Sequence, residues 1–201
     1  MKQLIRTFIA VEIDAAIRRA AARLIEQLRP AGGDVKWVEP DNLHLTLKFL
    51  GDLGADGVAR VCQAVARAAA GVPPFEIEIR GAGAFPNVHR PQTIWLAAGE
   101  GDDQMAQLAE QVESALEPFG FRRETRRFRT HLTIGRLRRN GGGTAGLGSA
   151  LAQQAAYEAG RMPVEEVVVF SSELTRSGPI YEAMGRAPLG EEEDSRSRGP
   201  R

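Results

Sequence analysis

Short apolar runs alternate with amphipathic stretches along this chain of 201 residues. RTFIAVEI, from Arg6, is rich in β-branched and aromatic residues and predicts a strand. Asp14 then stands where a helix cap belongs. The apolar stripe Ile17, Ala21, Leu24 and Leu28 follows at helical spacing until Pro30 stops it. VKWV and LHLTLKFL read as strands. A second helix runs from about Asp56, with Val58, Val61, Val65 and Ala69 on one face and Gly71 and Pro73 behind it. FEIEI alternates, putting Phe75, Ile77 and Ile79 on one side. TIWLAAG is a further strand. A third helix follows Asp102, with Met105, Leu108, Val112, Leu116 and Phe119 along one stripe. RTHLTIGRL is a strand. A glycine break at Gly141–Gly143 precedes a short alanine-rich helix, and VEEVVVFSSEL and IYEAMGRAPL close the chain as two strands.

The order is strand-helix-strand-strand-helix-strand, then strand-helix-strand-helix-strand-strand. Strands come in pairs rather than in strict alternation with helices. This predicts two similar α+β lobes, not a doubly wound parallel sheet. Residues 1–189 are expected to form one bilobal domain. Residues 190–201, charged and nearly without apolar side chains, are expected to be a disordered tail.

Composition narrows the class. Hydrophobic residues make up 43% and charged residues 26%, as in ordinary globular proteins. No apolar run reaches the roughly 18 residues of a membrane span. The apolar run before Glu12 is too short for a signal peptide. The single cysteine, Cys62, lies among Val58, Val61 and Val65 and is read as a buried small hydrophobe. A cytoplasmic protein without membrane contact is expected. Net charge is zero, yet only three of the 26 basic residues are lysines. Much of that bias fits a GC-rich coding genome. The cluster Arg122, Arg123, Arg126, Arg127, Arg129, Arg136, Arg138 and Arg139 is more pointed, because it flanks one motif. Arginine binds phosphate as a planar fork, so a local basic patch fits an anionic ligand.

That motif occurs twice. HLTL begins at His44 and HLTI at His131, and the chain has only three histidines. In a strand, alternate side chains share a face. His44 and Thr46 therefore point one way, and Leu45 and Leu47 enter the core. His131 and Thr133 share a face in the same manner, opposite Leu132 and Ile134. With eight threonines in the chain, both histidines carry Thr at the second following position by chance about once in 600. Two such strands across a cleft offer two imidazoles and two hydroxyls. One neutral imidazole can take a proton from an attacking oxygen, and one imidazolium can give a proton to a leaving oxygen. The hydroxyls can hold a phosphate between them. Such chemistry needs no metal or cofactor, and neither histidine has the neighbours of a zinc site. No ATP-binding glycine loop accompanies Gly141–Gly143.

The paired motif resembles the 2H phosphoesterase superfamily. The flanks RTFIAVEI, VKWVEPDNLHLTLKFLGD, FPNVHRPQTIWLAAG, FRTHLTIGRL and SSELTRSGPIYEAMGRAPL resemble its RNA 2′,3′-cyclic phosphodiesterases, also called 2′-5′ RNA ligases, over roughly residues 1–189. The resemblance implies a pseudo-twofold α+β fold: two sheets rich in antiparallel strands, helices packed outside, and an open central cleft. It implies hydrolysis of an RNA 2′,3′-cyclic phosphate end to a 2′-phosphate, with reverse 2′-5′ joining of a 5′-hydroxyl end available to the same site. His44 would protonate the leaving O3′, His131 would activate water, and Thr46 and Thr133 would hold the phosphate. Arg136, five residues after His131, would join them, but an ideal strand points it away. A strand end, twist or bulge near Gly135 must re-aim it. Phe49 holds the equivalent place in the first motif and is expected in the core, as are Phe8, Trp37 and Trp95. His89 is expected to be an exposed bystander. RNA ending in a cyclic phosphate is the implied partner, to a monomer needing no other protein. Two alternatives remain open: a non-catalytic module that binds RNA ends, and a phosphodiesterase of small cyclic nucleotides or 2′-5′ oligoadenylates.

Overall fold

The computed structural model describes residues 4–138, 144–176 and 178–190. The glycine break and all of the expected tail except Gly190 lie outside them. The elements follow the hydrophobic pattern closely. Strand β1 (Ile5–Glu12) leads to α1 (Ala15–Leu28), β2 (Val35–Trp37), β3 (His44–Leu53), α2 (Ala55–Ala70) and β4 (Phe75–Phe85). Strand β5 (Thr93–Ala98), α3 (Asp102–Leu116), β6 (His131–Leu137), α4 (Ala145–Gln153), β7 (Glu158–Val164), β8 (Glu166–Leu174) and β9 (Pro179–Pro188) complete the chain. Asp14 caps α1, its side chain accepting from Ile17 N at 2.7 Å.

All strand pairs are antiparallel, in the order β7-β4-β5-β6-β3-β1-β8-β9, with β2 added beside β6. The order is symmetric about its middle. β6 and β3 carry the two motifs and meet at one bridge, Leu45 with Leu132. Outward from that seam, β5 corresponds to β1, β4 to β8, and β7 to β9. The two expected sheets are thus halves of one sheet joined at a single point. Each lobe is assembled from distant parts of the chain: β1 and β3 of one lobe lie beside β8 and β9 from the C-terminal end.

One face of the sheet carries the main core. Ile9, Val11, Leu45, Leu47, Ile77, Ile79, Ile94, Leu96, Leu132 and Ile134 point into it, covered by α1, α2, α3 and α4. Leu45, Leu47, Leu132 and Ile134 are buried as their alternation requires. Cys62 is only half-buried, on a helix packed against β9, with the backbone of Gly185 as a close neighbour. Strand β7 has no counterpart in the sequence reading. EAGRMPV contains Gly160 and Pro163 and does not alternate, so local propensity is poor. It is a strand because it sits on the edge of β4, pairing from Phe75–Val164 to Arg80–Glu158. Phe119, expected on the α3 stripe, lies beyond the helix and is exposed.

The opposite face is nearly bare of helices. There a second, smaller apolar cluster forms from Phe8, Ala10, Val168 and Phe170, with Tyr181 against it. This face carries the motif side chains.

Candidate active site

β3 and β6 share one irregularity that decides which side chains reach the cleft. Ile9 pairs with Lys48 but Ala10 pairs with Thr46, so Leu47 is an extra, bulged residue. Ile94 pairs with Gly135 but Trp95 pairs with Thr133, so Ile134 is bulged in the same way. A bulge shifts alternation by one. Leu47 and Lys48 are consecutively buried, as are Ile134 and Gly135. The fifth residue after each histidine therefore returns to the histidine's face. Arg136 is re-aimed into the cleft by the bulge that the odd offset demands. The same bulge overturns the core expectation for Phe49, a residue 63% exposed that lines the cleft. Gly135 also has a packing reason. A Cβ there would lie 2.8 Å from Val35 and 2.9 Å from the Trp37 ring, so glycine lets β2 close on β6.

The cleft encloses 610 Å³ and is lined by Phe8, His44, Thr46, Phe49, Thr133, Arg136 and Tyr181, among others. His131 lies two residues from Thr133 on the same strand face and lines a smaller recess of 240 Å³ with Phe85 and Trp95. Trp95 is therefore not a core residue; it stands on the cleft side of β5, with its ring over Gly83. Trp37 is half-buried at the cleft wall, and Phe8 is buried but on the cleft face, in contact with the His44 ring. His89 is exposed in a turn whose amides are capped by Asn87.

The two imidazoles are held alike. His44 Nδ1 is 2.8 Å from the Asn42 carbonyl oxygen, and His131 Nδ1 is 2.8 Å from the Arg129 carbonyl oxygen. A carbonyl oxygen can only accept, so Nδ1 of each ring carries hydrogen. Each Nε2 is thereby left to take or give a proton. Asn42 is itself fixed, its Nδ2 donating to Pro179 O at 3.0 Å. No residue identity announces these clamps, because backbone supplies them. Ring contacts complete the orientation. Phe8 and Tyr181 flank His44 at 4.9 and 5.4 Å between ring centres, and Phe85 meets His131 edge-on at 5.2 Å.

Burial holds the His44 pKa below its ordinary value; the nearby Arg136 and His131 charges push the same way, against the Asn42 hydrogen bond. Burial raises the Tyr181 hydroxyl, against the pull of Arg136 and Arg6. Arg136 Nη1 donates to Thr93 Oγ1 at 3.3 Å. Among the described residues, neither Thr46 Oγ1 nor Thr133 Oγ1 has a hydrogen-bond partner, so both hydroxyls are free for a ligand. Among the described residues no group of three or more His, Cys, Asp or Glu could hold a metal, and no helix is long and apolar enough to cross a membrane.

The chain is similar to known proteins in sequence and fold. The family profile described as LigT like Phosphoesterase matches the chain twice, over residues 11–95 and 96–181. An RNA 2′,3′-cyclic phosphodiesterase of Methanothermobacter thermautotrophicus is 40% identical over 182 residues, 90% of this chain and 96% of the relative. One from Archaeoglobus fulgidus is 36% identical, over 88% of this chain and 96% of its own. A Thermus thermophilus crystal structure superposes with a TM-score of 0.75 at 27% identity, covering 94% of this chain and all of that one. The fold is also that of Escherichia coli LigT crystallised with 3′-AMP, at a TM-score of 0.73, 22% identity and the same coverage.

Proposed function

The chain belongs to the LigT-like phosphoesterase family, and on that premise we propose that it hydrolyses the 2′,3′-cyclic phosphate at the 3′ end of RNA to a 2′-phosphate. The observation that carries the reading is the pair of imidazoles clamped through Nδ1, His44 in a cleft that also holds two free threonine hydroxyls and an arginine, and His131 in a recess beside Thr133 on the same strand face.

In this mechanism His131 Nε2 takes a proton from water as its oxygen attacks phosphorus. The P–O3′ bond breaks, and His44 Nε2–H gives its proton to O3′. O2′ stays bonded to phosphorus. Proton exchange with solvent then restores both rings. Thr46 and Thr133 donate to the non-bridging oxygens, and Arg136 supplies the planar fork for the growing negative charge. Each proton transfer is worth about 10²–10⁴-fold. Phe49, exposed on the His44 side, offers its face to the terminal base, next to Phe8 at 5.9 Å. The ribose then lies toward His44 and the attacking water toward His131, which agrees with the donor and acceptor roles. Burial, with the Arg136 charge adding to it, lowers the His44 pKa, and a bound phosphate anion beside the ring favours the protonated donor. All five groups come from one chain, so a monomer suffices, and the lone cysteine fits work in the reducing cytoplasm.

The test uses an RNA oligonucleotide ending in a 2′,3′-cyclic phosphate, in EDTA, with the wild type, His44→Ala and His131→Ala. A 2′-phosphate product that both variants fail to make supports the reading. Binding without turnover by the wild type would indicate a module that recognises RNA ends. Rate loss in EDTA restored by a divalent ion would overturn the two-histidine scheme.

A further inference from the structure

The segment between α3 and β6 is the most basic part of the protein, and apart from the Arg129 carbonyl that orients His131 the cyclic phosphate chemistry does not use it. Arg122, Arg126, Arg127 and Arg129 all have exposed side chains there. Among the described residues, none of the four has a carboxylate at ion-pair distance, whereas Arg123 is occupied by Glu110 and Glu117. Four uncommitted guanidinium groups within eight residues repel one another and gain from a polyanion.

The segment is also held in place at both ends. At its start, Lys48 Nζ donates to Arg122 O at 2.9 Å and pairs with Glu113 at 2.5 Å, and Glu113 Oε2 accepts from Glu124 N at 3.3 Å. Lys48 is the residue before Phe49. At its end, the Arg129 carbonyl clamps His131. The arginines thus sit on an ordered path that begins on the helix-covered face, behind Phe49, and ends at the second imidazole, where Arg129 lines the recess with His131. The buried Lys48–Glu113 pair works as a strut between the motif strand of one lobe and the loop leading to the other.

We infer that this loop is a track for the phosphodiester backbone of single-stranded RNA, binding the nucleotides 5′ to the terminal cyclic phosphate. The inference rests on the proposed reaction and names what that reaction does not: the enzyme prefers an RNA chain to a mononucleotide. The fork geometry of arginine suits phosphate, and phosphate contacts carry no sequence information, so the track is indifferent to sequence.

Arg126→Gln/Arg127→Gln is the variant of choice, because neither residue lends its carbonyl to Lys48 or His131. The substrates are a nucleoside 2′,3′-cyclic monophosphate and oligonucleotides of two to eight residues ending in the same group. For the wild type, kcat/KM should rise with length and level off, and on the longer substrates should fall with salt. The double variant should lose about tenfold on the octamer and less than about twofold on the mononucleotide, and its log–log salt slope should flatten by about 0.7 for each phosphate contact removed. Equal loss on both substrates, or an unchanged octamer rate and slope, would overturn the track, as would a wild type indifferent to length. If the wild type turns over neither substrate, the proposed reaction itself fails.

Discussion

Replacing Lys48 by methionine would leave the Glu113 carboxylate in the interior with no cation. Lys48 is 6% exposed and Glu113 9%, so water cannot take over the lost contact. Removing one partner of a buried pair costs about 3–5 kcal/mol, most of it the desolvation of the charge left behind. The Arg122 carbonyl loses its donor as well, but it borders an exposed loop and can find water. For a chain of this length, each kcal/mol lowers Tm by about 2–4 °C, so Lys48→Met should melt about 6–20 °C below wild type. Urea titration gives the free energy, and an unchanged slope shows that the same surface is exposed on unfolding. The decisive variant is Lys48→Met/Glu113→Leu, which removes both charges and should recover most of the loss, to within about 1–2 kcal/mol of wild type. A single variant within about 1 kcal/mol of wild type, or a double as unstable as the single, would refute the reasoning. The strut would then be either solvated or dominated by the hydrogen bonds of the loop.

The acid donor should set the basic limb of the pH profile: kcat/KM is expected to fall above an apparent pKa lower than the ordinary 6.5 of histidine, and Arg136→Gln should move that limb upward by removing one repelling charge. A limb at or above neutrality, with chemistry limiting, would count against His44 as donor. The same depression links to stability: the neutral His44 form is favoured in the fold, so its contribution is complete above pH 6.5 and is lost as pH falls from there through the lowered pKa. His44→Gln should flatten the Tm against pH curve in that window. Phe49→Ala should reduce kcat/KM by about 10-fold, matching about 1–3 kcal/mol of base stacking, while Phe49→Trp keeps it; steady-state kinetics on one oligonucleotide decide. Gly135→Ala should destabilise by about 1–3 kcal/mol, because the added methyl meets Val35 and Trp37, and chemical denaturation measures it.

Much of this architecture can be read without coordinates. The helical stripes from Ile17, Val58 and Met105 find their faces because apolar spacing and capping are local properties. The motif strands do so too, since burying Leu45 and Leu132 obliges His44 and His131 to face away. A doubled pattern with so few histidines singles out the two groups proposed to react. β7 escaped because Gly160 and Pro163 erase its local signal, and a partner strand far away in sequence makes it extended. Phe49 escaped because alternation was carried through Leu47, where the pairing with β1 slips by one residue.

The amino-acid order by itself determined every element but β7, the two His-Leu-Thr faces and the concentration of arginine before His131, for these follow from periods of 3.6 and 2 and from residue chemistry. Only the tertiary structure decided that the two lobes interleave distant strands, that paired bulges bring Arg136 and Phe49 to one cleft, and that backbone carbonyls hold both imidazoles. Those outcomes depend on which strand lies beside which, and pairing energy between segments distant in the chain leaves no mark on either segment alone.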